Sequence, residues 1–185
     1  MMTQGENHSI DLRSWLETLE KHGELRRISA EVDWREEIGA VARINLSLDG
    51  PGLLFENIRD HKHTRCTKFL TGTLGNRRQV CLLLGLPTDT PDKAIIQHLR
   101  ACYRRGIPPV EVATGPVKTH KLAGADLDLG EFPVPHWHHL DGGRFIDTFC
   151  GVVTRNPKNG QMNVGIYRGQ VIAPDKIGKL LIPTQ

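Results

Sequence analysis

The stretch 159–174, "NGQMNVGIYRGQVIAP", decides how the second half of this chain folds and what it can hold. It is strand-like, and turn residues bound it on both sides, "RNPKNG" before and "APDKIG" after. The run from Arg144 to Pro183 accordingly reads as three successive antiparallel strands. On a strand alternate side chains share a face. Asn163, Gly165 and Tyr167 therefore point one way, and Val164, Ile166 and Arg168 the other. A strictly regular strand would keep Asn163 and Arg168 apart. A bend at Gly165, which also permits close backbone approach, would let both reach one ligand.

The two side chains bring different chemistry. Asparagine offers a neutral oxygen to a hard cation such as Mn²⁺ or Mg²⁺. Arginine offers a permanent charge and a fork of donors suited to a carboxylate. Together they suit a site that holds a phosphate through a metal and an acid substrate through Arg168. The same residues also fit a hairpin with one exposed arginine and one asparagine near its turn.

Upstream, the apolar residues Leu12, Trp15, Leu16 and Leu19 mark one helical face, with Ser9 or Asp11 as N-cap and Gly23 as the stop. "GELRRISAEVD" reads as a strand, and a second helix is expected from Arg35 to Leu46 with Ile38, Val41, Ala42 and Leu46 inward. "DGPG" at 49–52 is a turn before the short buried strand "LLFENI". In "TDTPDKAIIQHLRACYRRG", Thr90 is the expected N-cap, Pro91 suits the first helical position and Asp92 the positive helix end. Ile95, Leu99, Cys102 and Tyr103 share a face of that helix, which Gly106 closes. The region 107–143 holds five prolines and no helical period, which marks an extended connection with a short strand or two.

Composition narrows the class. The 185 residues are 38% hydrophobic and 24% charged, ordinary for a globular protein with a real core. Aromatic residues are only 5%, and the net charge of +3 is spread over small groups ("LRR", "NRR", "YRR"), so nucleic-acid binding is not expected. Cys66, Cys81, Cys102 and Cys150 lack metal-ligand spacing and read as free thiols. No apolar run approaches about 20 residues and no signal peptide is visible, so a cytoplasmic, membrane-free protein is expected.

Other constellations carry less. "HWHH" at 136–139 could present imidazoles to a metal, but no carboxylate or cysteine stands at ligand spacing, and a polar rim with Trp137 packed is the preferred reading. "GTLGNRR" at 72–78 and "DGGRF" at 141–145 lack the glycine pattern of a phosphate-binding loop and read as turns. Asp126, Asp128 and Glu131 read as a solvated turn.

These segments together resemble the UbiD-like family of (de)carboxylases. "DLRSWLETLEKHGELRRI" is similar to the family's opening helix and strand, "GPGLLFENI" to its next strand and "RQVCLLLGL" to a later one. "DGGRFIDTFCGVVTRNP" and "MNVGIYRGQVI" resemble the start of its cofactor domain. The resemblance implies an α+β chain: a small N-terminal α/β domain over 10–112 after a disordered 1–9, then, over 113–185, the first strands of an incomplete split β-barrel of flavin-reductase-like form. It implies prenylated FMN as cofactor, supplied by a separate flavin prenyltransferase, with Mn²⁺ at the phosphate and K⁺ close by. It further implies an aromatic or α,β-unsaturated acid as substrate and loss or gain of CO₂ as the reaction.

By the same resemblance, Asn163 is the metal-ligating residue, Asn163, Val164, Gly165, Ile166, Tyr167 and Arg168 line the flavin and its phosphate, and Arg168 is the catalytic arginine that engages the substrate carboxylate. Leu180 and Gln185 match further cofactor-proximal positions, and Thr148 another. The histidine, the metal-binding glutamate and the catalytic acids of the family lie beyond Gln185. An N-terminal portion inactive by itself is therefore expected, completed by a C-terminal remainder, a partner subunit or a homo-oligomer. The alternative is a short paralogue that acts as a binding or regulatory subunit.

Overall fold

The computed structural model describes residues 11–108 and 110–180; the expectations on Ser9, on 1–9 and on Gln185 lie outside the described residues. The chain is a mixed α/β protein with small open sheets. Its elements are α1 (Leu12–Lys21), β1 (Leu25–Ile28), α2 (Glu37–Ser47), β2 (Gly52–Phe55), β3 (Phe69–Thr71), α3 (Arg77–Leu83), α4 (Asp92–Arg104), β4 (Val152–Arg155), β5 (Met162–Gly165), β6 (Gly169–Ala173) and β7 (Lys176–Lys179). Three 3₁₀ turns punctuate the proline-rich connection, at Pro116–Lys118, Gly124–Asp126 and Leu129–Glu131. One sheet has the order β1-β2-β3, and its central strand β2 is buried at every residue.

The residues form two compact units. The first comprises 11–27, Asn45–Leu54 and Leu70–Leu122. Here α1 is capped by Asp11, whose side chain accepts from the Ser14 backbone N–H at 2.8 Å, while Ser14 Oγ accepts from the Asp11 N–H. Trp15 and Leu19 are its buried contribution; Leu12 is exposed. The apolar run "RQVCLLLGL", expected as a strand, is instead the helix α3. Asn76 Oδ1 accepts from the Gln79 N–H at 2.9 Å, and Gln79 Oε1 accepts from the Asn76 and Gly75 N–H groups. That reciprocal cap satisfies the orphan donors of a helix start, and a short apolar run carries no period that could have announced it.

A buried polar network holds this cap in place. Glu24, only 8% exposed, accepts from Arg78 Nε at 2.6 Å and from Asn76 Nδ2 at 2.9 Å. Arg78 also pairs with Asp49, and these carboxylates hold its guanidinium above the usual arginine range. α4 starts one residue away from the expected cap: Pro91 is the N-cap and makes no side-chain bond, whereas Thr90 Oγ1 donates back to the Pro87 carbonyl. Of its expected inward face only Ile95 is buried; Leu99, Cys102 and Tyr103 are exposed.

The second unit comprises Ile28–Ile44, Phe55–Phe69 and 123–180. Val32, Ile38, Phe55, Ile58 and Val134 form its buried apolar core. α2 begins two residues later than expected, at Glu37. The expected inward residue Leu46, at the helix's far end, is instead 54% exposed. The three expected strands resolve into four, in two antiparallel hairpins, β4–β5 and β6–β7. "RNPKNG" is the turn of the first hairpin, and Pro174–Asp175 that of the second. The stretch 159–174 is thus not one strand: it leaves the first ladder after Gly165 and enters the second at Gly169.

Candidate functional site

The first ladder ends at Gly165, over which the Tyr167 ring lies. A β-carbon at Gly165 would stand 2.4 Å from Cε2 of Tyr167, so any other residue here would make the Tyr167 ring shift. The chain changes ladder between Gly165 and Gly169, and the two polar residues have different neighbours. Asn163 stays in β5, exposed and opposite Thr154. Arg168 precedes β6, with its guanidinium carbon 5.3 Å from the Phe145 ring centroid. No hydrogen bond or ion pair among the described residues links Asn163 with Arg168. Val164 and Ile166 are exposed, Gly165 and Tyr167 half-buried, and Leu180 is 72% exposed.

Arg168 sits where it does because of backbone pairing. The Ile146 N–H donates to the Gly169 carbonyl, and the Val171 N–H donates to the Arg144 carbonyl, both at 2.9 Å. Phe145 is thereby bridged antiparallel to Gln170. Arg168, two residues before Gln170, is its diagonal neighbour on the same face.

Phe145 also walls a cavity of about 180 Å³. Phe69, Phe132, Trp137 and Phe145 give it aromatic walls, with Thr148, Cys66 and Lys68 among the other lining groups. Phe69 and Trp137 meet edge to face at 5.8 Å, and Trp137 Nε1 donates to the Phe145 carbonyl. Sequence reasoning missed this cavity. Its walls come from segments scattered between Cys66 and Thr148, so no local spacing reports it.

The histidines of "HWHH" are engaged locally. His136 Nε2 donates to the Asp141 carbonyl at 2.9 Å, His138 meets Asp141, and His139 lies 3.3 Å from Glu36. Trp137 is packed, as the rim reading expected. Among the described residues no group of three or more His, Cys, Asp or Glu side chains could hold a metal ion. A divalent metal wants about six oxygen ligands, several of them anionic, and Asn163 supplies one neutral oxygen. The described residues thus do not fit a complete metal site. The Arg168 guanidinium, with no ion-pair partner among the described residues and seated on a ring that walls an aromatic cavity, fits an anion that carries an aromatic ring. No helix among the described residues is long and apolar enough to cross a membrane.

A buried cation–imidazole contact stabilises the cavity's back wall. Arg144 donates to the carbonyls of Val134 at 2.7 Å and Phe132 at 2.8 Å, and stacks on the Trp34 ring at 4.2 Å. Its Nη2 lies 3.4 Å from Nε2 of His61, which is 3% exposed. A guanidinium can only donate, so His61 Nε2 accepts and the ring proton sits on Nδ1, facing Thr64 Oγ1. Burial first, and the Arg144 charge second, push the His61 pKa below the ordinary value of 6.5; the nearby Asp60 pulls weakly the other way. The folded protein therefore refuses a proton that the unfolded chain accepts. The contribution of His61 to stability is complete above about pH 6.5 and is lost as pH falls below it. Urea midpoints measured between about pH 8 and about pH 5 should decline less steeply in His61→Gln than in the parent.

Comparison with known proteins places this geometry. Residues 16–99 match the 3-octaprenyl-4-hydroxybenzoate carboxy-lyase N-terminal domain, and residues 109–185 match the Rift-related domain of the same carboxy-lyase. The chain is 33% identical to ferulic acid decarboxylase 1 of Candida dubliniensis, over 97% of this chain and 38% of that protein. It is 31% identical to pyrrole-2-carboxylic acid decarboxylase of Pseudomonas aeruginosa, over 96% of this chain and 37% of the relative. The closed form of Sedimentibacter hydroxybenzoicus vanillic acid decarboxylase superposes with a TM-score of 0.86 at 29% identity, covering 97% of this chain and 39% of that one. An evolved dimeric form of the UbiD-class enzyme HmfF from Pelotomaculum thermopropionicum, in complex with prFMN, gives 0.79 at 32% identity, covering 96% and 39%. The chain spans less than two-fifths of the length of these relatives. With both domain models matched in chain order, and a fold shared with solved UbiD-class enzymes, the chain belongs to the UbiD-like (de)carboxylase family and corresponds to its N-terminal portion.

Proposed function

We propose that this chain is the front part of a carbon–carbon carboxy-lyase that acts on aromatic or α,β-unsaturated carboxylic acids with prenylated FMN. The observation that carries the reading is Arg168: a guanidinium with no ion-pair partner among the described residues, held beside an aromatic-walled cavity. Prenylated FMN, when bound, supplies the electron sink for cleavage of the carboxylate carbon. Arg168 holds the carboxylate by charge-assisted hydrogen bonds and cannot itself supply a proton, since it does not deprotonate. The exposed ribbon from Asn163 to Arg168 is the edge toward which the cofactor and its phosphate are placed, with Thr148, Leu180 and Gln185 as further contacts. The division into an N-terminal α/β domain over 10–112 and a cofactor domain from 113 belongs to the same reading. So do a cytoplasmic location, a prenyltransferase as cofactor source, and Mn²⁺ and K⁺ bound with ligands from outside the described residues.

A second reading, a binding or regulatory subunit, draws on one observation. Val153 pairs with Val164 across the β4–β5 ribbon, and both are more than half exposed, an apolar face suited to a partner. The discriminating experiment is titration of the purified chain with cinnamate, using uncharged cinnamamide as control. Arg168→Gln should weaken cinnamate binding about tenfold or more, the worth of a charge-assisted pair, and leave cinnamamide unchanged. Equal binding of cinnamate by parent and variant would remove the carboxylate role and leave the subunit reading.

A further inference from the structure

We infer that Phe145 is the positioning residue for Arg168, a role that rests on the carboxylate-binding reading above and adds a residue to it. Three facts converge on this phenyl ring. Its backbone is fixed on both sides: the Phe145 N–H donates to the Pro135 carbonyl at 3.2 Å, and its own carbonyl accepts from Trp137 Nε1 at 3.3 Å. The flanking pair of backbone bonds to β6 sets its register against Arg168. The guanidinium carbon then lies 5.3 Å from the ring centroid, within the range in which the negative face of an aromatic ring attracts a cation.

The seat has a functional consequence that an ion pair would not. A carboxylate partner would occupy the guanidinium's N–H donors, and an incoming acid would have to compete for them. A ring face restrains the guanidinium through its π-face and leaves the N–H edges free for a bidentate carboxylate. Long side chains lose much rotamer entropy on binding, and a guanidinium already seated loses less. The same ring walls the aromatic cavity. One phenyl group is thus shared by the cavity wall and the seat of the charge, which ties the position of one to that of the other.

The test reads the arginine directly. In proton–nitrogen spectra the Arg168 side-chain resonances should be displaced upfield by the Phe145 ring current, keep that displacement in Phe145→Tyr and lose it in Phe145→Leu. Phe145→Leu removes a cavity wall for both ligands, so cinnamate affinity should fall three- to tenfold further than cinnamamide affinity, and the difference should disappear in Phe145→Tyr. A purely structural role for Phe145 would weaken both ligands alike, and that result overturns the inference. So does a side-chain resonance that Phe145→Leu does not move. If Arg168→Gln weakens cinnamate while Phe145→Leu does not, the positioning role fails and the carboxylate reading stands. If neither variant changes cinnamate binding, the carboxylate reading fails and takes this inference with it.

Discussion

Gly39→Ala is expected to destabilise the protein by about 2 kcal/mol, although alanine is the better helix former. Gly39 lies in the first turns of α2, buried, and a β-carbon there would stand 2.4 Å from the Trp137 carbonyl oxygen and 3.2 Å from its carbonyl carbon. The atoms it would meet are backbone, so no rotamer change relieves the contact. Two links hold the segments together: the Glu36 N–H donates to the His136 carbonyl at 2.8 Å, and Arg35 is bridged in parallel to His136. Overpacking of this kind costs about 3 kcal/mol, against about 1 kcal/mol gained in helix propensity. The steric term wins, and the melting temperature should drop by roughly 4–8 °C for a chain of this size. Ala40→Gly, one residue on at an exposed position, isolates the propensity term and should cost no more than about 1 kcal/mol. Trp137 walls the aromatic cavity, so Gly39→Ala should also perturb ligand binding there.

Arg144→Leu should cost more, about 3 kcal/mol. Leucine keeps some apolar contact with Trp34 but leaves the Val134 carbonyl without its donor and takes one of two donors from the Phe132 carbonyl, which keeps the Val134 N–H at 2.7 Å. Unpaired buried carbonyls cost about 1–3 kcal/mol each, reduced where water reaches them. The substitution also removes one of the two causes that depress His61, which should then titrate closer to its ordinary value. Chemical denaturation measures the first effect, and an imidazole proton titration the second. An unchanged His61 titration in a folded Arg144→Leu protein would mean that burial alone sets it.

Much of the local structure was legible because it is decided locally. The capping box at Asp11, the buried run of β2 and the turns at 156–160 and 174–175 each depend on residues within a few positions of one another. α3 was not legible: the seven residues "RRQVCLL" fit a buried strand as well as a helix, and the deciding interaction is the pairing of Asn76 with Gln79. α4 shows the opposite limit. Its apolar period is real, but period reports only that a face is apolar, and among its expected inward residues only Ile95 is buried.

The candidate site divides along the same line. The strand at Met162–Gly165 follows from its pattern and the turn before it. The Phe145 seat of Arg168 does not, because it depends on 144–146 pairing with β6, and 144–146 is too short to declare itself a strand. The aromatic cavity is further out of reach, since its walls meet only in the folded chain.

The central claim is that this ribbon is one part of a prenylated-FMN site whose remaining ligands come from outside the described residues. The direct measurement incubates the purified 185-residue chain with prenylated FMN, Mn²⁺ and K⁺, desalts it, and records the flavin spectrum and native mass. A parallel sample carries the chain together with the C-terminal segment of a UbiD-class relative. The account predicts no stoichiometric flavin on the chain alone, and flavin retention with release of CO₂ from an aromatic acid in the combined sample, both lost in Asn163→Ala and Arg168→Gln. Stoichiometric flavin on the chain alone would show the site to be self-contained, and flavin retained equally by Asn163→Ala would place it elsewhere; either result contradicts the account.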